Sequence, residues 1–162
     1  MDLLQLIKFK RGRDFDLPER LLCLDPGHTT GWAIFARHEL ANSGTSNTVL
    51  NNEELNWPAI EDLFNASNPT HVVCEDYKMY ANKAQQHIGQ SVFTLRLIGV
   101  IDYLCYLRGI PIYYQMASHA KSFWTNEKLE SLKLVSNNKH ARDAVRHGCQ
   151  LITFNKEFKG VV

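Results

Sequence analysis

Two short apolar runs in this chain each stop on a carboxylate, and no other feature of the sequence constrains the fold as tightly. Leu21-Leu22-Cys23-Leu24 runs into Asp25-Pro26-Gly27, and His71-Val72-Val73-Cys74 runs into Glu75-Asp76. A short, continuous apolar run that ends in turn residues reads as a buried strand meeting a turn. Residues 31–36 read as a second strand, close enough to the first to form a hairpin with it. Residues 39–47 supply a third strand with a weaker pattern. Residues 52–66 have helical spacing through Leu55, Ile60, Leu63 and Phe64, and Asn68-Pro69 ends them. Beyond the second acid, residues 86–107 carry the strongest helical pattern, capped by Gly109. Residues 110–116 form a fifth strand, 118–124 a short helix that Ser118 begins, and 139–154 a terminal helix. Residues 129–138 are polar and fit no element clearly.

Three strands in hairpin order, then helix, strand, helix, strand and terminal helix is the order of the RNase H-like fold. The predicted class is therefore α/β: a five-stranded mixed sheet, its first three strands antiparallel, flanked by helices. A length of 162 residues suits one domain, predicted over 20–162. Residues 1–19 read as a short basic and polar arm, solvated, with Lys8, Lys10, Arg11 and Arg13 followed by Asp14 and Asp16. The formal net charge of +1 neither favours nor excludes nucleic acid, because an acidic pocket cancels part of a basic face. Cys23, Cys74, Cys105 and Cys149 form no CxxC pair and sit among apolar residues, so buried reduced thiols are expected. No apolar run reaches membrane-spanning length, and residues 1–7 lack the order of a signal peptide. A cytoplasmic protein is expected.

The chemistry lies in the acids. Where the first and fourth strands are parallel neighbours, their C-terminal ends lie side by side, at the edge where open α/β sheets bind ligands. This brings Asp25 beside Glu75. A terminal helix crossing that edge adds Asp143. Three converging carboxylates repel one another unless a cation sits among them, and hard oxygen ligands suit Mg²⁺ or Mn²⁺. Two such ions about 3.5–4 Å apart can activate water and stabilise a leaving oxygen at a phosphodiester. His140, three residues before Asp143, shares its helix face and can ligate metal or assist proton transfer. Arg142 and Arg146 share a second face and can meet phosphate. Asp76 alternates to the other face of its strand and is left out of the site.

The segments Leu24-Asp25-Pro26-Gly27-His28-Thr29-Thr30-Gly31-Trp32-Ala33, Val73-Cys74-Glu75-Asp76-Tyr77 and His140-Ala141-Arg142-Asp143-Ala144 resemble, in order, three motifs of the RuvC-type Holliday-junction resolvases, particularly their phage-encoded relatives. The resemblance runs from about Leu21 to Leu151. It implies Asp25, Glu75, His140 and Asp143 as catalytic and metal-site residues, with two Mg²⁺ or Mn²⁺ ions. It also implies a homodimer that holds a four-way DNA junction and nicks two strands symmetrically, in a bacterial or phage-infected cell. The helix over 86–107 would then be the dimer seam, in keeping with its broad apolar surface. Family members often place an aromatic residue just after the second acid to wedge into the junction, and Tyr77 and Tyr80 are the candidates. Tyr77 can equally be a tyrosine packed at a strand end. Lys78, Lys83, Lys121 and Lys128 lie near the active edge as DNA-contact candidates, with Lys121 at about the place of a DNA-contacting lysine in the family. No role is assigned to His119 or His147, and His28 reads as a turn residue.

Three other readings stay open. An actin- or sugar-kinase-type ATPase lobe opens with a similar phosphate hairpin but needs a second domain of comparable size, so no nucleotide cofactor is expected. A non-catalytic RNase H-like module would have no need of all three acids. An RNase H-like nuclease acting on RNA–DNA hybrid or flaps would keep the chemistry and change the substrate.

Overall fold

A computed structural model of the chain describes residues 1–12, 15–51, 54–77 and 88–158. Five strands, β1 (Arg20–Asp25), β2 (Thr29–Ala36), β3 (Glu39–Asn47), β4 (His71–Asp76) and β5 (Ile112–Met116), form one mixed sheet. Their order is β3-β2-β1-β4-β5. β1 and β2 pair antiparallel, as do β2 and β3, while β1, β4 and β5 run parallel. The predicted class, its antiparallel first three strands and the parallel pairing of the first and fourth strands match this sheet.

Side-chain alternation divides the core into two layers. Leu21 and Cys23 of β1 and Val73 of β4 pack towards the terminal helix α6 (Lys139–Phe154), with Ala144, Val145, Cys149 and Ile152. Leu22 and Leu24 of β1 and Val72 and Cys74 of β4 pack on the other face. There they meet Ile60 and Phe64 of α2 (Trp57–Ser67) and Leu97, Ile101 and Cys105 of α3 (Ile88–Arg108). Each layer thus holds two of the four cysteines, all buried and free. Gly109, at φ +64°, closes α3 in the left-handed region that favours glycine.

Three boundaries differ from the sequence-based expectation. The segment expected as a solvated arm folds over Leu3–Arg11 into α1. Asp2 and Gln5 cap it reciprocally. Leu3 and Ile7 are buried in the α6 layer, and Arg11 donates to the carbonyls of Ile152 at 2.7 Å and Leu151 at 3.1 Å. α2 starts at Trp57 rather than near 52, because Asn56 caps it and Pro58 suits its first turn. α5 (Asn126–Ser131), capped by Thr125, follows α4 (Ala117–Phe123) and extends into the region that fitted no element clearly. Among the described residues no helix is long and apolar enough to cross a membrane.

Candidate active site

The site forms where α6 begins against the carboxyl ends of β1 and β4. Asn138 starts the helix by accepting from the backbone N–H groups of His140 at 2.8 Å and Ala141 at 3.4 Å. The helix comes so close to β2 because residue 31 is glycine. A Cβ there would lie 2.0 Å from the carbonyl oxygen of His140 and 2.7 Å from the nitrogen of Ala141. Gly31 is the antiparallel partner of Asp25, so this close approach sets the first turn of α6 directly over the first acid. His140 Nδ1 then lies 3.1 Å from Asp25 Oδ2.

Glu75 stands one step beyond the paired residues Leu24 and Cys74. Its Oε2 lies 2.8 Å from Nε2 of His147, and His147 Nδ1 lies 3.1 Å from Oε1 of Gln115. Asp143 is 4% exposed. Its Oδ2 accepts from the Lys121 ammonium at 3.0 Å, and its other oxygen accepts from Arg146. The Arg146 guanidinium also donates to the carbonyl of Trp124 at 2.7 Å and to the side chain of Asn126.

The three acids therefore gather at one edge, but each carboxylate turns to a basic partner of its own. Among the described residues, no three His, Cys, Asp or Glu side chains form a ready metal-ligand set. The acids nevertheless act on one another. Burial pushes the Asp25 carboxyl up to about 6, and the charges of Glu75 and Asp143 add to the effect, against the hydrogen bond and charge of His140. An anionic field that raises proton affinity in this way suits a hard divalent cation. Asp143 can ligate such an ion with the oxygen now on Lys121 once that lysine lets go.

This shift has a measurable sign. With its carboxyl raised from 3.8 to about 6, the folded chain holds a proton that the unfolded chain has released. Stability of the EDTA-treated protein is therefore expected to fall as pH rises from about 4 to about 6, and then to level off. Apparent Mn²⁺ affinity is expected to climb over the same interval, because ligation needs the carboxylate. Thermal melts and Mn²⁺ titrations at matched pH check both.

The expected nucleic-acid contacts divide. Lys121, in α4, is half-exposed and sits at the site itself. The Lys128 ammonium lies 3.4 Å over the centroid of Phe123. Arg142 is partly buried, donating to Ser136 and Asn126, each at 3.2 Å. Arg146, expected with Arg142 on a second helix face as a phosphate contact, is buried, and Asp143, Asn126 and the Trp124 carbonyl use its donors. Tyr77 is half-buried just after β4. Lys78, Tyr80 and Lys83 lie outside the described residues. Sequence reasoning missed His147 and Gln115. One signal was available for the former: positions 140, 143 and 147 follow the helical spacing of one face.

No family model and no curated protein matches the sequence. Solved structures do. RuvC from Thermus thermophilus in complex with a Holliday junction substrate matches at TM-score 0.63 and 15% identity, over 85% of this chain and 96% of that one. A second T. thermophilus RuvC structure matches at 0.60 and 13%, over 88% and 99%. The yeast mitochondrial Holliday junction resolvase Ydc2 matches at 0.52 and 13%, over 93% and 82%. The likeness is one of fold: the five-stranded mixed sheet with flanking helices is the RNase H-like fold that these structures share.

Proposed function

We propose that the chain is a metal-dependent, structure-specific endodeoxyribonuclease that resolves four-way junctions by paired, symmetric nicks, serving DNA recombination and repair in the cytoplasm. One observation carries this reading: carboxylates from β1, β4 and α6 gather at the carboxyl edge of the sheet, with Asp25 raised by burial and further by the charges of Glu75 and Asp143. Two Mg²⁺ or Mn²⁺ ions held by Asp25, Glu75 and Asp143, with His140 beside them, would supply an activated water and neutralise charge at the cleaved phosphodiester.

The chain's own residues do the rest. Asp25 holds His140 by Nδ1, which leaves the other ring nitrogen to orient or deprotonate the attacking water. Lys121, on leaving Asp143, is placed to meet a phosphate oxygen, and Lys128 and Arg142 extend that basic edge. Arg146 holds Asp143 in place. Hydrolysis leaves a 5′ phosphate and a 3′ hydroxyl. Residues 20–162 act as one nuclease domain, with residues 1–19 docked on it through α1.

Symmetric nicking needs two copies. α3 leaves Tyr103 59% and Tyr106 80% exposed, with Leu107 beside them. An apolar groove of about 560 Å³ runs between α2 and α3, past Trp57, Ile60 and Leu104. Such a surface favours a self-complementary interface. Sedimentation is expected to show a dimer, and Tyr106→Glu a monomer that binds junctions more weakly. The assay for the function is a synthetic four-way junction beside matched linear duplex and RNA–DNA hybrid, with Mg²⁺ or Mn²⁺. Paired nicks on the junction alone support resolution. Equal cutting of duplex or hybrid moves the substrate to another class.

A further inference from the structure

His147 is 1% exposed and lies one helical turn beyond Asp143 on α6. Both its ring nitrogens are engaged: Nε2 with Glu75 at 2.8 Å and Nδ1 with Gln115 at 3.1 Å. Glu75 and Gln115 are register partners on β4 and β5, so the imidazole bridges two adjacent strands at one level. The proton can be placed. An ionised carboxylate facing a bare ring nitrogen would put two acceptors in contact. Nε2 must therefore carry the hydrogen that Glu75 accepts. Nδ1 then either accepts from the Gln115 amide nitrogen or donates to its oxygen, as the amide lies.

We propose that His147, steadied by Gln115, is a positioning residue that fixes one oxygen of Glu75 and thereby presents the other to the metal. This rests on the metal-site reading above. The arrangement is more than packing for one reason. Glu75 is the only one of the three acids that is not buried, its side chain 21% exposed, and a partly exposed glutamate keeps rotamer freedom that a single strong hydrogen bond removes. Partners that orient metal ligands typically change affinity by about 10- to 100-fold.

The test is Mn²⁺ titration of the EDTA-treated full chain, followed by the loss of free-ion paramagnetic resonance, with the melting temperature of each metal-free variant beside it. His147→Leu is expected to weaken Mn²⁺ binding by about 10- to 100-fold. His147→Gln, whose amide nitrogen reaches about as far as Nε2 and can still donate, is expected to recover most of it. Gln115→Leu is expected to weaken binding by a smaller factor. Wild-type affinity in His147→Leu overturns the proposal, as does a His147→Gln no better than the leucine variant. Should His147→Leu fail to fold, Gln115→Leu decides: wild-type affinity there is equally fatal. If Mn²⁺ binds the wild type but Asp25→Asn leaves that binding unchanged, the metal-site reading itself fails and the positioning role falls with it.

Discussion

Asp25→Asn is expected to melt higher than the wild type above pH 6 and to cut no junction. The two effects share a cause. Burial and the charges of Glu75 and Asp143 make ionised Asp25 unfavourable, with its carboxyl at about 6 rather than 3.8. The corresponding free energy is up to about 3 kcal/mol, and an amide of the same shape removes it. For a chain of this length the gain is up to about 9 °C in melting temperature at neutral pH, and the pH dependence between about 4 and 6 flattens. Asparagine can still accept from His140, so the geometry survives. The proposed metal site does not. Losing a carboxylate ligand is expected to lower cleavage by about a thousandfold or more, some 4 kcal/mol of barrier. Junction binding should hold or tighten, because a negative charge near phosphate is gone. Junction cleavage by Asp25→Asn at the wild-type rate would show that the metal site is elsewhere.

Gly31→Ala is expected to be the most damaging small substitution in the protein. The added carbon would lie 2.0 Å from the carbonyl oxygen of His140 and 2.1 Å from its carbonyl carbon. Both sides of that contact are backbone, so no rotamer change relieves it. The first turn of α6 must lift off β2, carrying His140 away from Asp25. Overpacking of this kind costs about 1–3 kcal/mol and occasionally more. Here the upper end is expected in chemical denaturation, with cleavage reduced further than stability alone explains. Gly99→Ala is the contrast. A Cβ there meets nothing within 4 Å, and alanine's helix preference should leave α3 neutral or up to about 1 kcal/mol more stable. Equal stability of the two variants would refute the close-approach argument.

The sheet and its acids could be read from the chain because both depend on short-range pattern. Leu21 to Leu24 and His71 to Cys74 mark buried strands, and Asp25 and Glu75 follow directly from where those strands stop. The partners of the acids depend on contacts distant in sequence. Lys121 and Arg146 look like surface cations until Asp143, Asn126 and the Trp124 carbonyl are seen around them. His147 meets Glu75 across 72 residues, which no local spacing encodes. α1 was hidden for a different reason. Its apolar stripe is short, resting on Leu3 and Ile7, and the lysines and arginines around it have the composition of a tail.

The four cysteines serve as built-in reporters of opening. Burial raises every one of these thiols, so almost none is thiolate at neutral pH and alkylating reagents find nothing to attack in the closed protein. Cys23 of β1 and Cys149 of α6 lie in the layer between the sheet and α6, while Cys74 of β4 and Cys105 of α3 lie in the layer between the sheet and α3. Labelling the first pair before the second would mean that α6 detaches while the opposite layer stays shut. The reverse order would mean that the proposed dimer face loosens first.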